Sequence, residues 1–489
     1  MTQTPIFHSS LKKIFSAVCS PLIVTLLLTG PCFSQAAVTV SPKSGPPTSK
    51  VLVSGGGFSA DAKIAIYFDR TSAGSTTTDS SGAFSNLTIK LPASATPGQH
   101  QVSAQESGGA SAHALFGVNT NWPTVGFTPA GDRWNPYENT LNVRNVGSLK
   151  MLWSYPLDTV PTSVTVANGA VYFGTYERVC ALSTHTGTLL WCFQIDGPGY
   201  DEFVDNPPTA VNGVVYAPAW TGYDSGHVYA LHANTGALLW SYPTGGEVLS
   251  SPAVVNGVVY FGSEDANVYA LNASTGALLW MYQTGYPVYS SPAVVDGVVY
   301  TASGDNNVYA LDASTGALLW MYQTGDEVLS SPAVADGVVY IGSFDANLYA
   351  LNASTGALLW SFPTGGLVWS SPAVANGVVY IGSSEYVYAL NASTGALLWS
   401  YNAGYGVQES PAVAHGVVFF GAGALNASTG ALLWHAPIKY PAASPTVADG
   451  VVFLSMCNAD CCSGPVYAFG LPAGEDAAQS PRAAPTQVH

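Results

Sequence analysis

Ser250-Ser-Pro-Ala-Val-Val-Asn-Gly-Val-Val-Tyr-Phe-Gly-Ser-Glu-Asp-Ala-Asn-Val-Tyr-Ala-Leu-Asn-Ala-Ser-Thr-Gly-Ala-Leu-Leu-Trp280 reads as four short strands. Ser-Ser-Pro-Ala-Val-Val is the first. Asn256-Gly257 makes a two-residue hairpin, because both positions tolerate positive φ. Val258 to Gly262 is the second strand, and Glu264 to Asn267 turns the chain. Val268 to Leu271 is the third. Ala273 to Gly276 turns again, and Ala277 to Tyr282 is the fourth. Alternating apolar runs bounded by Gly, Asn, Asp and Ser point to antiparallel strands.

Working outward, the unit recurs. Trp153, Trp191, Trp240, Trp280, Trp320, Trp360, Trp399 and Trp434 follow at spacings of 38, 49, 40, 40, 40, 39 and 35. The hairpin element begins at Asn168, Asn212, Asn256, Asp296, Asp336, Asn376, His415 and Asp449. Four strands per repeat at a period near forty is the signature of a propeller blade. The expectation is an all-β, eight-bladed β-propeller with four-stranded antiparallel blades, over residues 122–472. The last unit has no Ala-Leu-Leu-Trp strand, whereas residues 149–156 form an orphan of that type. That segment is expected to close the ring and hide two edges. The second unit carries an insertion around Gly199 to Asn206. The seventh has lost residues before Asn426, which shortens its third strand.

Hydrophobic residues make up 48 % of the 489 and charged residues 9 %, so the chain as a whole is not disordered. The formal net charge is −16, with no Lys or Arg between Arg178 and Lys439. A phosphate backbone needs a basic stripe, so nucleic acid is excluded as a partner. Residues 1–36 read as a signal peptide: Lys12 and Lys13, an apolar run from Ile14 to Leu28, then small residues at Ser34-Gln35-Ala36. The apolar run is short for a membrane span. The expected place is outside the cell, in the periplasm or at the cell surface. Soluble export is favoured over lipid attachment at Cys32, which follows a Pro. Residues 38–119 carry about seven short strands without the repeat signature, the pattern of an Ig-like β-sandwich. Residues 473–489 read as a disordered tail.

Five cysteines follow the leader. Cys180 and Cys192 flank one repeat turn, where a cross-strand disulfide is expected in an exported chain. Cys457, Cys461 and Cys462 share a late loop. Because five is odd, either one thiol is free or the adjacent pair is bridged. No nearby His completes a zinc set, so no metal site is expected there.

Ala-x-Asn/Asp-x-x-Thr-Gly-x-x-x-Trp, found at 181–191, 230–240, 270–280, 310–320, 350–360, 389–399 and 424–434, resembles the tryptophan-docking motif of quinoprotein dehydrogenase propellers. Ser183 and His232 depart from it at the third position. The stretch Trp122-Pro to Leu149 resembles that family's lead-in. Residues 38–119 resemble IPT/TIG-type Ig-like domains, through Ser41-Pro42-Lys43-Ser44-Gly45 and Gly55-Gly56-Gly57-Phe58. The resemblance implies structural docking by the eight repeat Trp residues. The superfamily spans pyrroloquinoline quinone (PQQ) dehydrogenases, polyvinyl alcohol dehydrogenase-like enzymes, an outer-membrane assembly lipoprotein and repeat proteins without known activity. Fold alone does not choose among them.

PQQ carries three carboxylates and calls for cationic partners. The ring offers Arg133, Arg144, Lys150, Arg178 and Lys439, all near the closure. Residues just before each Ser-Ser-Pro are expected at one axial end: Glu202, Asp205, Asn206, Glu247, Tyr289, Glu327, Trp369, Gln408, Glu409 and Tyr440. These acids and aromatics suit a cation or a glycan, and no catalytic residue emerges. Asp265-x-Asn267, Asp305-x-Asn307 and Asp345-x-Asn347 read as Asx-turns rather than Ca²⁺ loops. The favoured reading is a monomeric, cofactor-free binding or scaffold module for an envelope or extracellular protein, a glycan or a cation. The alternative is a PQQ- and Ca²⁺-dependent alcohol or polymer dehydrogenase.

Overall fold

The computed structural model describes residues 35–195, 202–203, 206–221, 225–438, 443–456 and 463–472. Residues 1–34, the tail from 473, and Asp205, Lys439, Tyr440, Cys457, Cys461 and Cys462 lie outside the described residues.

The N-terminal region folds as two facing sheets. One holds Ala37–Ser41, Lys50–Gly56 and Phe84–Lys90. The other holds Ser44–Gly45, Ser111–Val118, Gly98–Glu106, Lys63–Phe68 and Thr71–Thr77. Alternate residues point inward, so Val51, Val53, Ile64, Ile66, Val102 and Phe116 share one core.

From Thr165 onward the chain builds repeated four-stranded antiparallel sheets. In the third unit Ala253–Val255, Val258–Gly262, Asn267–Asn272 and Leu278–Gln283 lie side by side in chain order. The hairpin residues Asn256 (φ 50°) and Gly257 (φ 79°) both adopt positive φ, the conformation that a twisted two-residue hairpin requires. The innermost strands of successive units touch in cyclic order, and Thr165–Ala167 meets both Thr209–Val211 and Thr446–Ala448. The sheet of Thr446–Ala448, Val451–Ser455 and Val466–Gly470 takes its outer strand from Lys150–Tyr155. The seventh unit keeps four strands, although Gly423–Asn426 and Leu432–His435 have only four residues each. Cys180 and Cys192 sit opposite each other on adjacent strands and form a disulfide.

The core is divided into wedges between consecutive sheets. Tyr260, Trp280, Val299 and Leu311 form one, drawn from the third and fourth units. Each wedge is sealed by a Trp. Trp280 Nε1 and the Tyr260 hydroxyl both donate to the Ala313 carbonyl of the next unit, at 3.0 Å each. Trp153, Trp191, Trp240, Trp320, Trp360 and Trp399 donate in the same way to Thr184, Ala233, Ala273, Ala353, Ala392 and Ala427. The next unit's turn glycine lies under the ring: a Cβ on Gly316 (φ 74°) would sit 2.7 Å from Trp280. This explains why the turn ahead of each of these Trp rings carries Gly. Trp434 lacks such a turn ahead of it and packs edge-on against Phe469. Trp320→Phe keeps most of the buried ring but loses the Nε1 bond. The expected cost is about 1–2 kcal/mol in urea unfolding.

A serine belt runs around the axis. Ser251 N donates to Ser291 Oγ, Ser291 N to Ser331 Oγ, and Ser331 N to Ser371 Oγ, at 2.9–3.0 Å. The chain of bonds continues through Ser410 and Ser444 to Ser163. In the second unit the matching position is Pro207, which has neither hydroxyl nor N–H. Ser251 Oγ is accordingly buried without a partner among the described residues. The two serines therefore differ. Ser331→Ala strands a buried N–H and is expected to cost about 1–2 kcal/mol, whereas Ser251→Ala costs nothing measurable. Equal losses in the two variants would contradict the belt.

Candidate functional site

An innermost propeller strand has one edge without a neighbour, and its N–H groups need acceptors. Here the lead-in supplies them. Val166 and Trp122 exchange both backbone bonds, at 2.7 and 2.8 Å. Ala210 N then donates to Pro123 O, Val294 N to Pro129 O, Val334 N to Ala130 O, Val374 N to Asp132 O and Val413 N to Arg133 O, at 2.7–2.9 Å. Trp134–Asn135 adds a parallel strand to the seventh unit, and Asn135 Nδ2 reaches Val447 O. Residues 122–135 thus thread the ring and bond the matching inner-strand position in seven units. Between this thread and Ser251, Pro252, Ser291 and Ser331 a cavity of about 30 Å³ remains, the share of one water.

Arg133 anchors the thread. It is 3 % exposed. Its guanidinium donates to the carbonyls of Pro411, Val125, Ser410 and Pro445. Burial pushes it down to about 9. Asp132 beside it is raised to about 6 by burial, against a hydrogen bond from Thr128.

The axial end that carries the Ser-Ser-Pro segments has a different character. Burial first, then Glu264, Tyr286, Glu327 and Glu247, push the Tyr289 phenol up to about 12. The fold therefore places Glu247 and Glu327, from the neighbouring units, within electrostatic reach of Tyr289. It adds Glu264 and Tyr286, which the sequence pattern does not single out, because Glu264 lies in a strand turn rather than before a Ser-Ser-Pro. Tyr286 is 53 % and Trp369 44 % exposed, and the Trp369 ring meets Phe344 at 4.4 Å, tilted by 58°.

The other candidates fall elsewhere. Glu202 belongs to a two-residue strand, Glu202–Phe203, on the edge of the second unit. Asn206 Nδ2 donates to Leu249 O, a structural bond. Gln408 is exposed. Glu409 is a correction: it does not stand on the rim. It occupies the position of Ser250, Ser330 and Ser370, which accept from Gly262, Gly342 and Gly382 N. Its carboxylate is therefore buried within the seventh unit. Glu409 Oε2 and the Tyr405 hydroxyl have no partner among the described residues. The Asp-x-Asn turns bond internally: Asp265 Oδ1 accepts from Asn267 N, and Oδ2 from the Tyr269 hydroxyl and Gly245 N.

The PQQ_2 family model, described as outer membrane protein assembly factor BamB, matches residues 148–287, 283–402, 363–424 and 384–462, more than half of the chain. The chain belongs to the PQQ_2 family. PQQ_2 repeats therefore account for the recurring sheets. Among curated relatives, the dehydrogenase subunit of alcohol dehydrogenase (quinone) from Gluconobacter oxydans (strain 621H) is 32 % identical over 130 residues, 25 % of this chain and 17 % of that protein. Quinohemoprotein alcohol dehydrogenase ADH-IIG from Pseudomonas putida is 32 % identical over 155 residues, 28 % of this chain and 21 % of that protein. The matched segments span about a fifth of these relatives' length. A europium-containing methanol dehydrogenase structure superposes with TM-score 0.62 at 14 % identity, over 72 % of this chain and 98 % of that one. BamB from Moraxella catarrhalis gives 0.53 at 20 % identity, over 66 % and 100 %. These structures share the fold. The relatives' names support the dehydrogenase alternative at least as well as the scaffold reading, and they lend no support to a cofactor-free chain.

The residues at the serine end do not fit a tricarboxylate such as PQQ. Below it, among the described residues, the cavity beside the thread is about 30 Å³. At that end the third, fourth and fifth units present carboxylates, among them Glu247, Glu264 and Glu327, and no Lys or Arg. Arg133 is committed to backbone carbonyls, and Arg178 donates to Gln194. Among the described residues no three His, Cys, Asp or Glu converge at metal distance. No helix among them is long and apolar enough to cross a membrane.

Proposed function

We propose that this chain is an exported, monomeric binding module. In this reading an eight-bladed propeller over residues 122–472, closed by 149–156, follows a signal peptide at 1–36 and an Ig-like sandwich at 38–119. It acts in the periplasm, at the cell surface or outside the cell. It takes a cationic partner, a protein segment rich in Lys and Arg, at the serine end of the ring. The observation that carries this is the placing of Glu264 on Glu247 by a 2.8 Å backbone bond and of Phe344 on Glu327 by one of 2.9 Å, with all three acids within electrostatic reach of Tyr289 and with Tyr286 and Trp369 exposed. Acids steer a cation to the surface, and aromatic faces hold it. Between Arg178 and Lys439 the chain has no Lys or Arg, so the units that carry these carboxylates bring no base of their own.

The test is a titration of the full chain with a fluorescent Lys/Arg-rich peptide, at low salt and again at about 0.15 M. Salt-sensitive binding that falls about tenfold in Glu247→Gln/Glu327→Gln is the expected result. Binding unaffected by the double substitution would remove this reading.

A second reading, a PQQ- and Ca²⁺-dependent alcohol or polymer dehydrogenase, is favoured by the names of the curated relatives. Stoichiometric binding of PQQ with Ca²⁺ and dye-linked alcohol oxidation would put it first.

A further inference from the structure

Four of the eight hairpins carry Asn-Gly: Asn168-Gly169, Asn212-Gly213, Asn256-Gly257 and Asn376-Gly377. They close the inner strands at the end of the ring opposite the acids. Asn is a thermolabile residue, and a following Gly, which has no Cβ, leaves the way to its side-chain amide open.

Three observations set these tips apart from other Asn residues of the ring. First, the tips are open. Asn212, Asn256 and Asn376 and their glycines are exposed, and a Cβ on Gly213, Gly257 or Gly377 would meet nothing within 4 Å. Second, the peptide joining the two residues is free to turn. The Gly257 carbonyl accepts from Ala273 N at 2.8 Å, but the Gly257 N–H makes no backbone bond among the described residues. The same holds for Gly213 and Gly377, whose carbonyls accept from Ala233 N and Ala392 N. With φ of 50° and 79°, Asn256 and Gly257 form a type I′ turn. Rotating the one peptide between them gives type II′, whose first central residue has ψ of about −120°. In an L-residue that ψ eclipses the next nitrogen with Cβ and brings it towards Cγ. Third, the Asn-Ala pairs of the neighbouring turns are locked. Asn272 Oδ1 accepts from Ser274 N and Thr275 N at 3.0 Å each, and Ala273 N is committed to Gly257 O. Asn352 and Asn391 repeat this arrangement.

We propose that Asn212, Asn256 and Asn376 are sites of spontaneous deamidation in the folded chain. The Gly257 nitrogen gives its proton to solvent base and bonds to Asn256 Cγ. The Cγ–Nδ2 bond breaks, and ammonia leaves. The cyclic imide then takes up one water. Opening at one carbonyl gives Asp, and at the other isoaspartate, whose main chain runs through the side chain. An amide and water have become a carboxylic acid and ammonia, with no change of oxidation state. The Asp product suits the fold, since Asp296 and Asp336 hold the same position with φ of 49° each. Asn168 shares the motif but is braced: its N–H donates to Asn121 Oδ1, and Gly169 O accepts from both Thr184 N and Thr184 Oγ1.

The test is incubation of the full chain at pH 8 and at pH 5, read by peptide mass spectrometry and by isoaspartyl methyltransferase labelling. Asn212, Asn256 and Asn376 are expected to convert about tenfold faster than Asn272, Asn352 and Asn391, whose following Ala carries a Cβ, and faster at pH 8 than at pH 5. Asn168 is expected to trail its siblings severalfold in the folded chain and to match them in urea. Asn256→Asp keeps a residue that the sibling turns use, and is expected to fold like the parent and to show no mass gain at that tip. Intact amides at the three open tips at pH 8 overturn the assignment, as does equal conversion of the Asn-Gly and Asn-Ala pairs.

Discussion

The Arg133→Ala protein is expected to unfold at much lower urea than the parent, with a loss of about 4 kcal/mol or more. The side chain joins three parts that are distant in sequence: the thread at Val125, the seventh unit at Ser410 and Pro411, and the eighth at Pro445. Its removal leaves those carbonyls without the cation that, among the described residues, reaches them. The guanidinium also lies 5.8 Å from the Trp122 ring centre, an attraction that Ala cannot supply. Against this stands a gain. A buried cation without a carboxylate is costly, as its depressed pKa of about 9 indicates. That gain is smaller than the loss, because a charged donor serves several acceptors at once and Ala serves none. Arg133→Lys keeps the charge but not the fork, and is expected to recover a minor share. The measurement is equilibrium unfolding, followed by Trp fluorescence and by far-ultraviolet circular dichroism. Parent-like stability in Arg133→Ala would mean that the thread is held by its backbone bonds alone.

The same thread shows where reading the chain residue by residue stops. The repeating four-stranded sheet was legible because its signals are side chains at fixed intervals: Asn-Gly for the hairpin, apolar alternation for the strands, Thr-Gly-x-x-x-Trp for the seam. The Cys180–Cys192 pair was legible for the same reason, since both ends flank one turn. The path of residues 122–135 was not. Pro123, Pro129, Ala130 and Asp132 bond to the ring through carbonyl oxygens, which every residue type possesses. The acidic cluster at the serine end was half legible. Glu247, Tyr289 and Glu327 precede their Ser-Ser-Pro segments, but Glu264 comes from a turn between strands and meets them only in three dimensions. Glu409 was misplaced by one position. Pro411 and Ser410 fix the register, and one step back from them is an inward site that its siblings fill with Ser. Pro207 acts in the opposite sense, removing a belt bond whose absence only Ser251 records.

Glu409→Gln is expected to stabilise the protein, and to do so in a pH-dependent way. Burial, opposed weakly by backbone hydrogen bonds of its own segment, pushes the Glu409 carboxyl from 4.5 up to about 7. A raised carboxyl pKa means that the folded state holds this proton more tightly than the unfolded state does. Its contribution to stability is therefore most favourable below about 4.5, declines as pH rises towards 7, and stays low above. A rise of that size corresponds to about 3 kcal/mol of stability withheld at pH 8, as an upper figure. Gln has nearly the same shape and no charge to desolvate. Its amide also brings a donor into a region where the Tyr405 hydroxyl, itself pushed up to about 12 by burial and by Glu409, lacks a partner. Urea unfolding of the parent and Glu409→Gln proteins at pH 4 and pH 8 measures the difference. The two should nearly coincide at pH 4, and the variant should lead by roughly 2–3 kcal/mol at pH 8. An equal advantage at both values would assign the gain to packing rather than to the buried charge. A variant weaker than the parent at pH 8 would mean that the ionised carboxylate is held by hydrogen bonds that the amide cannot replace.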